Sequence, residues 1–161
     1  MTPAVVLDAS AGVEVALWTE EGSRLAGHVL EADEIAVPDH FHLESASALR
    51  RIELRGEVSP AEAQTALEQL LDLRVRRVST APLLGEAWSM RHNVTVADAL
   101  YVIIARRLQL PLVTGGSPPG QGSRPRRRDP QHLVAAVSVD NPSPPATRAV
   151  HSQAQAAAST V

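Results

Sequence analysis

The sequence lacks cysteine and lysine and is poor in aromatic residues. None of its 161 residues is Cys, which excludes disulfide bonds, thiolate metal sites and a cysteine nucleophile. All fifteen basic residues are Arg, which argues against haloacid-dehalogenase phosphatases and receiver domains, since both classes need a catalytic Lys. Aromatic residues make up only 2% of the chain, so its core must be built from Val, Leu, Ile and Ala. A hydrophobic content of 44% is sufficient for one buried core.

Long apolar segments are also missing. No apolar run approaches the roughly 20 residues that a membrane-spanning helix needs. The first residues, MTPAVVLDAS, have no positively charged start and place Asp8 where a signal peptide requires an apolar run. We therefore expect a soluble, cytoplasmic protein that does not associate with membranes.

The charged residues are distributed unevenly along the chain. Residues 1–114 contain 16 acidic and 10 basic side chains, a net charge of −6, whereas residues 115–161 contain 2 and 5, a net charge of +3. An acidic body is a poor electrostatic match for the phosphates of nucleic acid. Any nucleic-acid ligand would therefore need bound cations and local arginines to compensate for that charge.

Short apolar segments alternate with segments of helical periodicity through residue 114. The apolar segments predict buried strands, at Ala4–Leu7, Ile35–Val37, Val75–Val78 and Leu110–Thr114. The periodic segments predict helices, beginning near Ser10 and spanning Ser23–Ala32, Phe41–Arg55, a helix opened by a Ser59–Glu62 capping box, Leu83–Arg91, and Thr95 to about Leu108. This alternation predicts an α/β fold, a three-layer α/β/α sandwich around a central parallel sheet.

Composition changes abruptly after Thr114. Residues 115–161 contain 7 of the 12 prolines and an RPRRR run, and they show no sustained helix or strand periodicity. We predict one domain over residues 1–114 and a disordered Pro/Arg/Ala-rich tail over residues 115–161.

Three carboxylates lie beside apolar segments of the predicted domain. Asp8 follows the first strand, Glu44 borders the buried face of its helix, and Asp98 is in the first turn of the helix that begins at Thr95. A carboxylate beside a core is costly unless its charge is compensated. Because Mg²⁺ prefers oxygen ligands and keeps several waters, a few carboxylates at the carboxyl ends of the strands are enough to bind it.

Each carboxylate also has a purely structural interpretation. Asp98 completes a capping box with Thr95, and Asp8 could simply cap the first helix. Glu44 could be an ordinary exposed helix residue. The histidines of the domain, His28, His40, His42 and His92, do not have metal-ligand spacing, and polar-edge roles are expected for them.

Three segments together resemble the VapC branch of the PIN-domain ribonucleases. They are VVLDASA (residues 5–11), VPDHFHLESASALRR (residues 37–51) and VTVADALYVIIARRLQLPLVT (residues 94–114). The resemblance implies a PIN-like parallel-sheet sandwich in which Asp8, Glu44 and Asp98 bind Mg²⁺ or Mn²⁺ and Ser10 lies close to the metal or the scissile phosphate. It also implies a type II toxin, a metal-dependent endoribonuclease that forms homodimers and pairs with a VapB-type antitoxin.

The sequence departs from the family pattern after Thr114. The family places a fourth acidic residue two positions later, followed by an Arg-Leu pair, but this chain has Gly116 there. The alternative function is therefore a catalytically impaired PIN scaffold that still binds its antitoxin.

A single-base insertion in the gene would explain this altered end. With GC-rich codons, the segment Gly115–Asp129 read one nucleotide later encodes ADLRLARAPGLGVEI. That string restores the acidic residue, the Arg-Leu pair and a strand-like end. Because codon choice leaves freedom, the nucleotide sequence itself is the test of this hypothesis.

Overall fold

The computed structural model describes residues 3–115, which contain a sheet of four parallel strands. The strands are β1 (Ala4–Leu7), β2 (Glu34–Pro38), β3 (Arg76–Val78) and β4 (Leu112–Val113), in the spatial order β3-β2-β1-β4. Val5 pairs with Ile35, and Val6 pairs with Ala36 on one side and Leu112 on the other. The predicted parallel sheet is confirmed.

Six α-helices and one short 3-10 helix connect the strands of this part of the chain. They are α1 (Ala9–Ala16), α2 (Glu20–Leu30), α3 (Phe41–Leu54), α4 (Pro60–Asp72), the 3-10 helix Ala81–Leu83, α5 (Leu84–Ser89) and α6 (Val96–Leu108). Helices α1 to α4 pack against one another, while α5 packs on α6, which in turn covers β1 and β2. The sheet and its two groups of helices form the predicted α/β/α sandwich.

Aliphatic side chains fill the core, as the scarcity of aromatic residues predicts. Val6 and Leu7 of β1 are fully buried, and so are Ile103 and Ile104 of α6 to within 1%. Phe41 at the start of α3 is the largest apolar side chain of this core and is fully buried. No helix in residues 3–115 is long and apolar enough to cross a membrane.

The first two helices begin at other residues than those predicted. The cap of α1 is Asp8, whose backbone is extended and whose side chain accepts from the Ser10 backbone N–H, so Ser10 already lies within the helix. Helix α2 begins at Glu20 instead of Ser23, because the Thr19 side chain accepts from the Gly22 N–H and caps the helix earlier.

Gly22 permits the close packing of α1 on α2. A Cβ atom at this position would lie 1.9 Å from the carbonyl oxygen of Glu14, so any other residue would push the helices apart. The periodicity of α2 gives no sign of this contact, since Gly is a poor helix former and weakens a helix prediction.

The remaining elements confirm the pattern, most of them with shorter bounds than predicted, whereas β2 is longer. The capping box between Ser59 and Glu62 is present, with Pro60 as the first residue of α4. Helical periodicity predicts that Leu71 lies on the buried face of α4, but it is 59% exposed, and the buried face carries Gln69 instead. The predicted disordered tail lies outside the described residues, apart from Gly115.

Candidate active site

The candidate site lies where the direction of strand connections reverses. The chain runs from β1 to β2 and β3 on one side, and β4 is added on the other side of β1. In open α/β sheets, ligands bind beyond the carboxyl ends of the strands at such a reversal. Asp8 follows β1 there and Thr114 follows β4, and the Thr114 hydroxyl donates to Asp8 Oδ2 at 2.9 Å.

The Asp8 carboxylate is held by three hydrogen bonds. Besides the bond from Thr114, Oδ2 accepts from the Ser10 hydroxyl at 2.8 Å, and Oδ1 accepts from the Ser10 backbone N–H at 3.3 Å. The Gly115 N–H donates to Ser10 Oγ at 3.2 Å. Ser10 therefore lies beside Asp8, and its hydroxyl orients that carboxylate. Its closeness to a metal or a scissile phosphate remains a prediction.

Glu44 in the first turn of α3 is the second carboxylate at this edge. Its side chain is 32% exposed, and its Oε2 accepts from the Tyr101 hydroxyl at 2.8 Å. Burial raises the pKa of Tyr101 far above its ordinary value, and the Glu44 carboxylate and then the Asp8 charge add to that effect. Since both carboxylates act on one phenol, Asp8 and Glu44 face the same region.

Asp98 has different surroundings. It is exposed, which corrects the expectation that it borders the core, and its Oδ2 accepts from the Thr95 hydroxyl at 2.7 Å. Its backbone N–H donates to Thr95 Oγ1 at 3.1 Å, which caps α6. Across residues 3–115, three or more His, Asp or Glu side chains nowhere lie close enough together to form a metal site. The predicted role of Asp98 as a ligand remains a prediction.

Asp39, directly after β2, is a carboxylate at the same edge that the sequence analysis did not single out. Its two oxygens accept from Thr80, at 2.6 Å from the hydroxyl and 3.2 Å from the backbone N–H. These hydrogen bonds lower the pKa of Asp39. Because both oxygens are bonded to Thr80, Asp39 connects the ends of β2 and β3 and is a weaker candidate ligand.

Three contributors to the site were not predicted as site residues. Thr114 was recognised only as a strand end, Tyr101 only as part of a motif, and His40 only as a polar-edge residue. His40 Nε2 lies 3.6 Å from Glu44 Oε2. The signal that could have identified Tyr101 is its place one turn after Asp98, as the single Tyr of the chain.

The oxygen donors at this edge suit a hard dication. Asp8 and Glu44 supply carboxylates and Thr114 and Ser10 supply hydroxyls, whereas the chain has no thiolate to favour a softer metal. Mg²⁺ is usually bound through one or two carboxylates together with waters and substrate phosphates. The donor set therefore fits Mg²⁺ or Mn²⁺.

Comparison with known proteins identifies the family. Ribonuclease VapC12 of Mycobacterium tuberculosis is 37% identical over 110 residues, which is 68% of this chain and 84% of the relative. The chain belongs to the VapC ribonuclease family. Ribonuclease VapC1 of the same organism is 37% identical over 113 residues, 70% of this chain and 85% of the relative. Ribonuclease VapC3 is 36% identical over 110 residues, 68% of this chain and 80% of the relative.

A search of protein-family models finds no match to the chain. The VapC assignment therefore rests on the individual relatives, on the three sequence segments and on the parallel sheet. It agrees with the fold, since β1 with Asp8, α3 with Glu44 and α6 with Asp98 all come from the segments that resemble the family.

Proposed function

We propose that the protein is an endoribonuclease toxin that cleaves RNA phosphodiesters with a Mg²⁺ or Mn²⁺ ion. The observation that supports this most is the meeting of Asp8, Ser10 and Thr114 at the reversal point of the sheet, beside Glu44. The relatives are named ribonucleases, which supports the same reaction class.

Asp8 and Glu44 bind the ion in this proposal, and Asp98 completes the ligand set from the first turn of α6. A bound dication supplies activation of a water nucleophile and neutralises the charge that develops on the leaving oxygen. Thr114 and Ser10 hold the Asp8 carboxylate in place. A carboxylate fixed in this way would limit movement of a bound ion, and a misplacement of about 1 Å at a reacting centre can cost on the order of 100-fold in rate.

The ion also has an electrostatic purpose. With 16 acidic and 10 basic side chains, residues 1–114 repel RNA, and the candidate site adds carboxylates at its centre. A bound dication changes the sign of the local charge where the phosphate must approach. We therefore expect RNA binding near the site to require the metal, even under conditions without cleavage.

The partners follow from the family. We propose that the chain acts in the cytoplasm as a homodimer and is inhibited by a VapB-type antitoxin. Co-expression with candidate antitoxins should relieve growth inhibition by the chain, and a complex should co-purify.

The alternative function is an impaired scaffold that binds the antitoxin without cleaving RNA. Two observations favour it: Gly116 stands where the family has a fourth acidic residue, and residues 3–115 do not bring three acidic or histidine side chains together. A cleavage assay with purified protein separates the two functions. Mg²⁺-dependent cleavage that EDTA abolishes supports the enzyme, whereas antitoxin binding without cleavage supports the scaffold.

Restoring the fourth acidic residue tests how far the altered end impairs activity. We expect Gly116→Asp to tighten Mg²⁺ binding and raise the cleavage rate, because an added ligand supplies charge and fixes the ion. Replacing residues 115–129 by ADLRLARAPGLGVEI should raise both further, since it also restores a strand. If neither variant exceeds the original chain, the fourth-ligand argument and the insertion hypothesis are both wrong.

Gly115→Ala is the control for these variants, because the restored frame also places Ala at that position. A Cβ atom there would lie 3.1 Å from Ser10 Oγ, so Ser10 must shift by a few tenths of an ångström. Comparing Gly115→Ala with Gly116→Asp separates crowding at Ser10 from the gain of a ligand.

A further inference from the structure

Tyr101 contacts Glu44, one of the two partly buried carboxylates of the candidate site. It is the single Tyr of the chain, it is 2% exposed, and it is part of α6. A buried Tyr hydroxyl usually finds a hydrogen-bond partner. The partner here is Glu44 Oε2, at 2.8 Å, on a helix 57 residues earlier in the chain. The bond therefore connects α6 to α3 at the site.

The phenol donates to this carboxylate, because a carboxylate oxygen can only accept. The bond reaches only one of the two oxygens of Glu44, since Oε2 accepts from the Tyr101 hydroxyl at 2.8 Å. A donor fixed in the buried part of α6 therefore distinguishes Oε2 from Oε1.

His40 packs on the same phenol. Its ring meets the Tyr101 ring edge-on, with centroids 5.6 Å apart and planes at 73°. Its Nε2 is buried, has no hydrogen-bond partner in the described part of the chain, and lies 3.6 Å from Glu44 Oε2. His40 therefore limits the movement of the Tyr101 ring and of the Glu44 oxygen that the ring holds.

We infer that Tyr101, supported by His40, is a positioning residue that holds Glu44 Oε2 and leaves Oε1 to bind the metal ion. This role rests on the proposed function, because it assigns Glu44 to the metal. Hydrogen bonds to the ligands of a metal orient them, and losing one typically costs about 10- to 100-fold in metal affinity or activity. Tyr101 fits that description through geometry alone, and it belongs to neither the ligands nor the substrate contacts.

The test is Mn²⁺ binding measured by electron paramagnetic resonance, which counts free Mn²⁺ and so reports weak affinities without any turnover. Tyr101→Phe removes the hydroxyl and keeps the ring, so we expect a dissociation constant for Mn²⁺ raised about 10- to 100-fold. Ser47→Ala is the matched control, because it removes an exposed hydroxyl of α3 that donates to the Leu43 carbonyl oxygen. The control should bind Mn²⁺ like the unsubstituted chain.

His40 provides a second, graded comparison. His40→Phe keeps an aromatic edge against Tyr101 and should retain Mn²⁺ affinity more fully than His40→Ala, which leaves the ring free to move. Tyr101→Phe in a Glu44→Gln background should have no further effect, since the hydroxyl acts through Glu44. Thermal unfolding without metal confirms that each variant is folded.

The outcomes separate this inference from the proposed function. If the unsubstituted chain binds Mn²⁺ and folded Tyr101→Phe binds it equally well, the positioning role is wrong and the metal site stands. If the unsubstituted chain binds no Mn²⁺ even at millimolar concentration, the metal site is wrong and the positioning role falls with it. A loss of Mn²⁺ affinity in Tyr101→Phe that does not occur in the Glu44→Gln background supports both the metal site and the positioning role of Tyr101.

Discussion

Asp8 and Glu44 are held by residues from distant parts of the chain, whereas Asp98 is held by its own helix turn. The Thr114 hydroxyl that bonds Asp8 is 106 residues away, and the Tyr101 hydroxyl that bonds Glu44 is 57 residues away. The partner of Asp98 is Thr95, three residues earlier. Asp8 and Glu44 are partly buried, and Asp98 is exposed.

This difference separates two kinds of evidence for a site. Capping alone accounts for the contacts of Asp98, so its assignment as a ligand depends on the resemblance to the family. Capping accounts for only part of the contacts of Asp8 and for none of those of Glu44, whose bonds bring separate elements to one edge of the sheet. A functional site requires residues from distant parts of the chain to meet at a partly buried charge, which is costly to bury. The cap of a helix does not require such a meeting.

Among substitutions of the partly buried residues at the site, Glu44→Gln should have the largest effect on activity. Gln keeps an oxygen that can accept from Tyr101, so the fold should persist, but the charge that binds the ion is gone. We expect a loss of Mg²⁺-dependent cleavage greater than about 100-fold. Without this carboxylate a bound ion would be displaced from the scissile phosphate, and a misplacement of about 1 Å can already cost that much. RNA cleavage by the purified protein measures the effect, with Glu53→Gln on the same helix as the control. Cleavage unchanged in Glu44→Gln would contradict the assignment.

Asp98→Asn should reduce cleavage and leave stability nearly unchanged, whereas Thr95→Ala should reduce stability and leave cleavage nearly unchanged. Asn can still accept from the Thr95 hydroxyl, and its backbone N–H still donates to Thr95 Oγ1, so Asp98→Asn should abolish cleavage with little change in stability. Thr95→Ala removes the cap and should cost about 0.5–2 kcal/mol in the free energy of unfolding while cleavage remains. Denaturant unfolding and the cleavage assay measure the two effects. Retained Mg²⁺-dependent cleavage in Asp98→Asn would mean that Asp98 is only a cap.

Among the substitutions of residues that contact or carry a site carboxylate, Thr114→Val should reduce metal binding the least. It removes one hydrogen bond to Asp8 and leaves the two from Ser10 in place. We expect a loss of stability of about 1 kcal/mol and a loss of metal affinity near the lower end of the roughly 10- to 100-fold range for such contacts. Thr65→Val is the control, because that hydroxyl donates to a carbonyl oxygen within α4. Equal metal affinity of the Thr114 and Thr65 variants would show that Thr114 does not position Asp8.

The fold could be predicted from the sequence because its main determinants are local. Alternating apolar strands and periodic helices predicted the parallel sheet, and the Ser59–Glu62 capping box predicted the start of α4. The predicted start of α2 was wrong because the Thr19 cap opens the helix at Glu20, while Gly22, a poor helix former, weakens the helical pattern of the first turn. The predicted burial of Leu71 was wrong because periodicity cannot decide which side of a wide apolar stripe on a helix faces the core.

The residues of the site could be predicted only in part. Asp8, Glu44 and Ser10 followed from strand ends, helix spacing and the resemblance, and the structure places Ser10 beside Asp8. The hydrogen bonds from Tyr101 and Thr114 could not be predicted, because they depend on the packing of α6 against β1 and on the pairing of β4 with β1. The case of Asp98 is different. The local pattern from Thr95 to Asp98 predicted both a helix cap and a metal ligand, and the pattern alone could not decide between these two roles.

The proposed nuclease function is tested by the rate at which the purified chain cleaves a labelled single-stranded RNA, measured against Mg²⁺ concentration. We expect slow cleavage that rises with Mg²⁺, disappears with EDTA and becomes faster in Gly116→Asp. Absence of Mg²⁺-dependent cleavage in both the original chain and Gly116→Asp would show that the protein is not a metal-dependent nuclease and would leave the antitoxin-binding scaffold as its function.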